Sequence, residues 1–198
     1  GTDLLADAAV NRRRVAAGEL SANGIWLWGS GRGLQLETIP ARFGVNGAVI
    51  SAADLVRGIG LTAGLEIVEV PGITGYTDTN YAGKAQYALE ALERSDLVYV
   101  HIEAPDEASH NGDLAAKMEA LEHIDRHVVG PIVDGLAAFG AGRLLLTPDH
   151  RTPLELRTHS REPVPFLLWG TDVTSDAISR YDEEEAKLGS LQVPAGHQ

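Results

Sequence analysis

The sequence contains no cysteine and one methionine, and its 16 basic residues are outnumbered by 28 acidic ones. The absence of cysteine excludes disulfides, thiolate zinc sites and cysteine nucleophiles. The net charge of -12 argues against binding to nucleic acid or to an anionic membrane through bulk electrostatics. No apolar run approaches the roughly 18 residues that span a bilayer, and no signal-peptide pattern opens the chain. We therefore expect a soluble, cytoplasmic protein that holds any anionic substrate through local arginines or metal ions.

Short β-rich runs alternate with helical patterns over most of the 198 residues. Six strands are predicted, at 25–28, 48–50, 66–70, 97–102, 143–146 and 165–169. Helices are predicted at 2–18, 52–63, 80–94, 112–139 and 175–188, and Pro131 is expected to bend or break the fourth of them. The last three strands are nearly continuous apolar runs, which is typical of a largely parallel sheet covered by helices on both faces. The alternation predicts an α/β fold.

Polar residues with metal-ligating side chains follow two of these predicted strands, where open α/β sheets place their binding loops. Asp106 and His110 lie four residues apart after the strand at 97–102. Asp149 and His150 follow the strand at 143–146, and His159 comes nine residues later. Carboxylate and imidazole ligands suit zinc, manganese or a similar divalent ion. A single Asp-His pair is more often a hydrogen-bonded turn, but two such loops and a further histidine favour a metal site.

A glycine-rich turn, Gly29 to Gly33, follows the first predicted strand and contains Arg32. Glycines permit close backbone approach, and an arginine there can grip a phosphate or a carboxylate through two hydrogen bonds. A solvated turn arginine is an equally good interpretation of the same pattern.

The motifs PDEASH at 105–110, TPDHRTP at 147–153 and RTHS at 157–160 occur in that order. Together with GAVISAADLVRGIG at 47–60 and VPGITGYTDTNYAGKA at 70–85, they resemble the cofactor-independent phosphoglycerate mutases of archaeal type, in the alkaline phosphatase superfamily. The resemblance covers nearly all of the chain. It implies an alkaline phosphatase-like three-layer sandwich with a largely parallel sheet, left incomplete because the N-terminal part of the family is missing here.

The resemblance also implies how two metal ions would be held. One ion would take Asp106, His110 and His159, and the other would take Asp149 and His150. Manganese is the expected metal, with zinc, cobalt or magnesium as alternatives. Arg32 and Arg57 would contact a small phosphorylated substrate, although an exposed surface position without a substrate role is the favoured interpretation of Arg57.

The family's remaining ligand and its Ser or Thr nucleophile have no counterpart before Asn23. We therefore interpret residues 1–22 as the end of an inserted substrate lobe or a linker, and residues 23–198 as the C-terminal part of the catalytic domain. The family interconverts 3- and 2-phosphoglycerate in glycolysis and gluconeogenesis through a phosphorylated Ser or Thr.

This chain alone is expected to be inactive, and association with itself is plausible because a cut sheet exposes strand edges. Another metal-dependent phosphatase or phosphomutase, or a non-catalytic metal-binding module, remains the alternative.

Overall fold

A computed structural model describes residues 2–27, 29–33 and 35–196, which belong to two compact units, Gly1–Gln35 and Leu36–Gln198. The first unit contains two helices, α1 (Thr2–Ala6) and α2 (Ala9–Ala16), in place of the single helix predicted over 2–18. The buried Asn11 amide donates to the carbonyl oxygens of Leu5 and Ala22 and accepts from the Ala22 amide. These bonds tie the segment after α2 back to the end of α1. The predicted boundary between residues 22 and 23 stays a prediction.

The strand predicted at 25–28 is absent from its described part. Ile25, Trp26 and Leu27 have no regular secondary structure and are 69%, 86% and 91% exposed, and Trp28 lies outside the described residues. An apolar run becomes a strand only where a neighbouring strand accepts its backbone hydrogen bonds. No strand of the described chain pairs with residues 25–27.

The second unit begins with β-strands and α-helices in alternation. Its elements up to the third strand are α3 (Ile39–Phe43), β1 (Gly47–Ile50), α4 (Asp54–Thr62), β2 (Glu66–Ile67), α5 (Tyr81–Leu92) and β3 (Leu97–Val100). The three strands form a parallel sheet in the order β2-β1-β3, with Ala48 opposite Val98 and Ile50 opposite Val100. This parallel sheet confirms the α/β prediction.

The central strand β1 shows why the sheet has helices on both faces. All four of its residues are buried, and alternate side chains point to opposite faces. Ala48 and Ile50 belong to the main core with Ala85 and Ala88 of α5. Val49 points the other way, against Gly60 of α4, where a Cβ would lie 2.6 Å from the valine side chain. The result is a layer of helix on each side of β1.

The remaining elements are mostly helical until the last two strands. They are α6 (Ala104–His110), α7 (Leu114–Ile124), a π-helical turn (Asp125–Val129), α8 (Gly130–Leu136), a 3-10 turn (Ala137–Phe139), β4 (Arg143–Leu146), β5 (Leu167–Gly170) and α9 (Glu183–Ala186). The helix predicted over 112–139 is therefore interrupted just before Pro131. A proline ring clashes with the carbonyl four residues earlier, and a wider π turn is one way to avoid that clash.

The helix predicted over 175–188 is reduced to the single turn α9. The Asp176 carboxylate accepts hydrogen bonds from the amides of Ile178 and Ser190. Side chains that bind nearby backbone in this way compete with helix formation. Asp182 instead caps α9 by accepting from the Glu184 and Glu185 amides.

The two last strands depart from the predicted parallel sheet. β4 and β5 pair with each other in antiparallel fashion, with Leu145 opposite Leu168, and form a separate two-stranded sheet. Their outer face is not covered: Leu145 is 61% exposed, and Leu168, which lies opposite Leu145 on the same face, is 37% exposed. The sequence predicts helices on both faces of the strands formed by the last three apolar runs. In β4 and β5, only one face is covered. Within the described residues, no helix is both long and apolar enough to cross a membrane.

Candidate metal centre

The first pair of predicted ligands lies on α6, the short helix that follows β3. Pro105 occupies the first turn of this helix, where its missing amide hydrogen costs nothing. Asp106 and His110 are one helical turn apart, so both side chains project from the same face. Their side chains meet, with 3.2 Å between His110 Nε2 and Asp106 Oδ2.

The second group lies in the loop after β4. Asp149 and His150 follow the strand after Thr147 and Pro148. The chain then forms a loop that closes where Arg151 and Ser160 make an isolated antiparallel bridge. The Ser160 amide donates to the Arg151 carbonyl at 3.0 Å. This closure brings His159 beside His150, and their imidazole rings stack with centroids 3.7 Å apart.

The two groups converge on Asp106. Ligand atoms of Asp106, His150 and His159 all lie within 4.8 Å of one another. His159 Nε2 lies 3.6 Å from Asp106 Oδ1 and 3.2 Å from His110 Nε2. Four of the five predicted ligands thus form one cluster. The fifth, Asp149, is beside it, with its Oδ2 3.4 Å from His150 Nε2 and its side chain 68% exposed.

Thr152 links α6 to the loop after β4, and no pattern in the sequence singles it out. Its hydroxyl donates to Asp106 Oδ1 at 2.5 Å, because an ionised carboxylate can only accept. The same oxygen lies 3.2 Å from His150 Nδ1 and must accept from it, since the hydroxyl hydrogen is already used. His150 Nδ1 therefore carries hydrogen, and the Nε2 lone pair of the neutral imidazole is free for a metal ion.

His110 is oriented in the same way by a backbone carbonyl. Its Nδ1 lies 2.9 Å from the carbonyl oxygen of Arg157, which can only accept. Nδ1 is thus the donor, and Nε2 points its lone pair towards Asp106 and His159. Arg157 has a positive φ of 52°, uncommon for a residue with a side chain. Its guanidinium lies against Gly112, where a Cβ would be 2.6 Å from Nε.

The donor set fits a divalent metal ion. One carboxylate and three imidazoles converge without any thiolate, and two of the imidazoles have their second nitrogen held by hydrogen bonds, as metal-binding histidines usually do. Nitrogen and oxygen donors of this kind suit manganese, zinc, cobalt or iron better than calcium.

The two arginines predicted to bind substrate have different surroundings. Arg32 is exposed in the first unit, in a stretch without helix or strand. Arg57 lies on α4 and pairs with Glu69, with 3.1 Å between Arg57 Nη1 and Glu69 Oε2. This hydrogen bond raises the pKa of Arg57 and lowers the pKa of Glu69. The substrate roles of both arginines stay predictions.

Two further polar residues, Ser51 and His101, lie at the carboxyl ends of β1 and β3, and the side chain of Lys84 reaches them from α5. Ser51, which is fully buried, has its Oγ 3.1 Å from His101 Nδ1. Lys84 is 1% exposed, and its Nζ donates to the His101 carbonyl oxygen at 2.7 Å. Burial lowers the pKa of Lys84 to about 8 and lowers the pKa of His101. His101, directly after β3, is therefore held through its ring by Ser51 and through its carbonyl oxygen by Lys84.

The sequence profile of the Metalloenzyme superfamily matches residues 7–196, which include every residue of the cluster. The chain belongs to this superfamily. Relatives in it include a "Probable 2,3-bisphosphoglycerate-independent phosphoglycerate mutase" of Geobacter sulfurreducens, 53% identical over 93% of this chain and 47% of that protein. A 2,3-bisphosphoglycerate-independent phosphoglycerate mutase of Methanothrix thermoacetophila is 51% identical over 98% of this chain and 50% of that protein. The chain thus spans about half the length of the curated relatives it matches.

Solved structures agree with the fold. A Pyrococcus horikoshii protein of 30% identity superposes with a TM-score of 0.83, over 96% of this chain and 49% of that one. The cofactor-independent phosphoglycerate mutase from Thermoplasma acidophilum, at 23% identity and a TM-score of 0.63, shares the fold over 96% of this chain and 45% of that one. The fold is therefore an incomplete alkaline phosphatase-like α/β arrangement.

Proposed function

We propose that this chain is the metal-binding part of a cofactor-independent phosphoglycerate mutase, which interconverts 3- and 2-phosphoglycerate in cytoplasmic glycolysis and gluconeogenesis. The observation that supports it most directly is the convergence of Asp106, His110, His150 and His159 from two loops, in a chain 53% identical to a protein of that name. Because the chain spans about half of such relatives, the nucleophile comes from outside these 198 residues. The chain alone then has no mutase activity.

Two divalent ions, manganese in the first place, would be held by the two ligand groups. Asp106, His110 and His159 would hold one ion, and Asp149 and His150 would contribute to the other. Bound ions would supply Lewis acidity to the phosphoryl oxygens of the substrate. The chain's own contribution is to hold the imidazoles in the correct tautomer through Thr152 and the Arg157 carbonyl.

Arg32 and Arg57 would bind the phosphate and carboxylate groups of the substrate. Arg57 can do so only if it exchanges Glu69 for the substrate, because its guanidinium is already paired. The exchange is feasible because the Glu69 side chain is 74% exposed, and an exposed ion pair contributes little to stability.

A calorimetric titration of the metal-free chain with manganese tests the metal assignment. We expect one site that weakens by at least tenfold in His110→Ala, and a second, weaker site that is lost in His150→Ala. His127→Ala is the control, since His127 lies on the π-helical turn and contacts the His123 ring. No binding by the wild-type chain, or equal loss in His127→Ala, would contradict the metal site.

The superfamily match is broader than the mutase assignment, so a phosphatase or another phosphomutase is the second candidate. A non-catalytic metal-binding module is the third.

The chain, combined with the portion of the Geobacter protein that it does not match, should turn over 3-phosphoglycerate faster than p-nitrophenyl phosphate. The opposite preference would favour the phosphatase, and no turnover of either compound would favour the module.

A further inference from the structure

Two histidines outside the Asp106 cluster lie four residues apart on the helical layer. His123 is on α7, and His127 is on the π-helical turn that follows it. Residues four apart share one face of a helix, and the two imidazole rings meet with centroids 5.5 Å apart. Both residues are half-buried, so solvent reaches them. The pair shares no residue with the Asp106 cluster and has no part in the proposed reaction.

The first residue of α5, Tyr81, lies against this pair. Its ring meets the His123 ring edge to face, with centroids 5.3 Å apart. Tyr81 is 5% exposed, and its buried hydroxyl has no hydrogen-bond partner within residues 2–27, 29–33 and 35–196. A buried polar group without a partner is uncommon in proteins and indicates an ordered water or an ion beside it.

Glu119 adds a negative charge to the same helix face, one turn before His123. Burial, and then the charges of Glu119 and Asp78, raise the pKa of Tyr81. The phenol therefore stays protonated at neutral pH and needs an acceptor. The carboxylates that disfavour its ionisation would attract a cation to the same position.

The nitrogens of both imidazoles are available to a ligand. In the part of the chain that the structure describes, His123 and His127 make no hydrogen bond or ion pair, and the contacts of their rings are aromatic. Two histidines four apart on one helix face can bind a single metal ion. Because neither ring is oriented by a hydrogen bond, as His110 is, we expect a weaker site than the Asp106 cluster.

The chemistry of the pair selects among divalent ions. Imidazole suits zinc, copper and nickel, whereas manganese and magnesium prefer oxygen ligands. Among the described residues, three close ligand groups occur only around Asp106, so water would complete the coordination of an ion at the pair. A water on the ion would also give the Tyr81 hydroxyl its acceptor.

We propose that His123 and His127 bind one zinc, nickel or copper ion, and that the Tyr81 hydroxyl donates to a water on that ion. The ion ties α7 and the π-helical turn to the start of α5. His127→Ala leaves manganese binding at the Asp106 cluster unchanged, because the pair discriminates against manganese. The proposal holds whether or not the reaction is that of a mutase.

A calorimetric titration with nickel tests the site in the full chain. The double variant His110→Ala/His150→Ala serves as the background, since it removes two imidazoles of the Asp106 cluster. We expect one nickel site in this background, weakened at least tenfold by His127→Ala and by His123→Ala. Tyr81→Phe, which removes one hydrogen bond, should weaken it by about three- to tenfold.

Two carboxylates of α7 provide a matched pair of variants. Glu119→Gln should weaken nickel binding by a few-fold, because it removes the charge beside Tyr81. Glu122→Gln is the control: Glu122 is exposed and is the sequence neighbour of His123, so it lies off the face that carries the histidines. Circular dichroism without nickel checks the fold of each variant, and His127→Ala decides if His123→Ala, which loses the contact with Tyr81, does not fold.

Carbethoxylation of the wild-type chain, followed by mass spectrometry of its peptides, gives a second measurement. Nickel should slow the modification of His123 and His127 at least fivefold, whereas manganese at the same concentration should not.

Three outcomes would overturn the proposal. The first is nickel binding that neither histidine substitution weakens. The second is equal weakening by Glu119→Gln and Glu122→Gln together with an unchanged affinity in Tyr81→Phe, which would leave only water beside Tyr81. The third is equal protection of His123 and His127 by manganese and by nickel.

Discussion

Thr152 is a single side chain that holds both halves of the metal centre together. Its hydroxyl donates to Asp106 and accepts from His150, and its own carbonyl accepts from Lys117 Nζ at 3.1 Å. The residue is 6% exposed, so water cannot readily replace either bond. The position of Asp106 relative to His150 therefore depends on one hydroxyl group.

Thr152→Val removes that hydroxyl and keeps the shape of the side chain. Loss of a buried hydrogen bond to a carboxylate costs about 1.5–3 kcal/mol of unfolding free energy, and loss of a group that orients metal ligands weakens binding by about 10–100-fold. Denaturant unfolding and manganese titration measure the two effects. Thr152→Ser should restore metal affinity to within a few-fold, and equal affinity in the valine variant would show that Thr152 has no orienting role.

At the level of elements, the turn between α6 and α7 contacts the loop after β4, so it connects the helix that carries two predicted ligands to the loop that carries the other three. Gly112 in this turn has a φ of +71°, and its α-carbon faces the Arg157 guanidinium. Arg157 in turn supplies the carbonyl that orients His110. A side chain at position 112 would therefore push on the residue that orients a ligand.

Gly112→Ala is expected to lower stability and weaken manganese binding together. The positive φ costs about 1–2 kcal/mol for a residue with a Cβ, and the contact with Arg157 adds to it. Gly140→Ala separates the two causes, because Gly140 has a similar φ of +76° and nothing within 4 Å of its added Cβ. The temperature of thermal unfolding should fall in both variants, whereas the manganese affinity measured by titration should fall only in Gly112→Ala. A change of metal affinity in Gly140→Ala would refute this account.

The elements also show how far the sequence could predict the structure. The rule that binding residues follow the strands of an α/β sheet singled out Asp106 and His150, because the apolar runs before them are strongly marked, and the structure brings both side chains to the Thr152 hydroxyl. Their role as metal ligands stays a prediction. Three features depend on distant partners and were missed: the antiparallel pairing of β5, the hydroxyl of Thr152 between two loops, and the lack of a strand at 25–27. No local pattern encodes a partner that is far away in the chain.

The stability of the whole molecule depends on pH through Lys84. Burial lowers the pKa of this lysine from 10.5 to about 8, so the folded state loses the proton before the unfolded state does. Between these two values the unfolded chain binds more protons, and the free energy of unfolding therefore rises with pH. At neutral pH the charged, buried amine destabilises the fold by about 3 kcal/mol relative to its neutral form.

Lys84→Met is expected to remove this rise. The free energy of unfolding of the wild type, minus that of the variant, should increase between pH 8 and pH 9.5, and the subtraction cancels the contributions that the two proteins share. Lys187→Met serves as the control, because Lys187 is 61% exposed and pairs with Glu184 on the surface. Urea unfolding at each pH gives these values. If the free energy of unfolding changed with pH in the same way in Lys84→Met and in the wild type, burial of Lys84 would not be the cause of the rise.

The bridge between Arg151 and Ser160 joins the two ends of the loop between them. Both histidines, His150 and His159, are sequence neighbours of the bridged residues, and the Arg157 carbonyl that orients His110 lies shortly before Ser160 in the loop. The exposed bond between Glu155 and Leu156 is at the far end. A protease cut at that bond would leave two chain ends that are still fastened together, and the imidazoles would keep their places in a nicked protein.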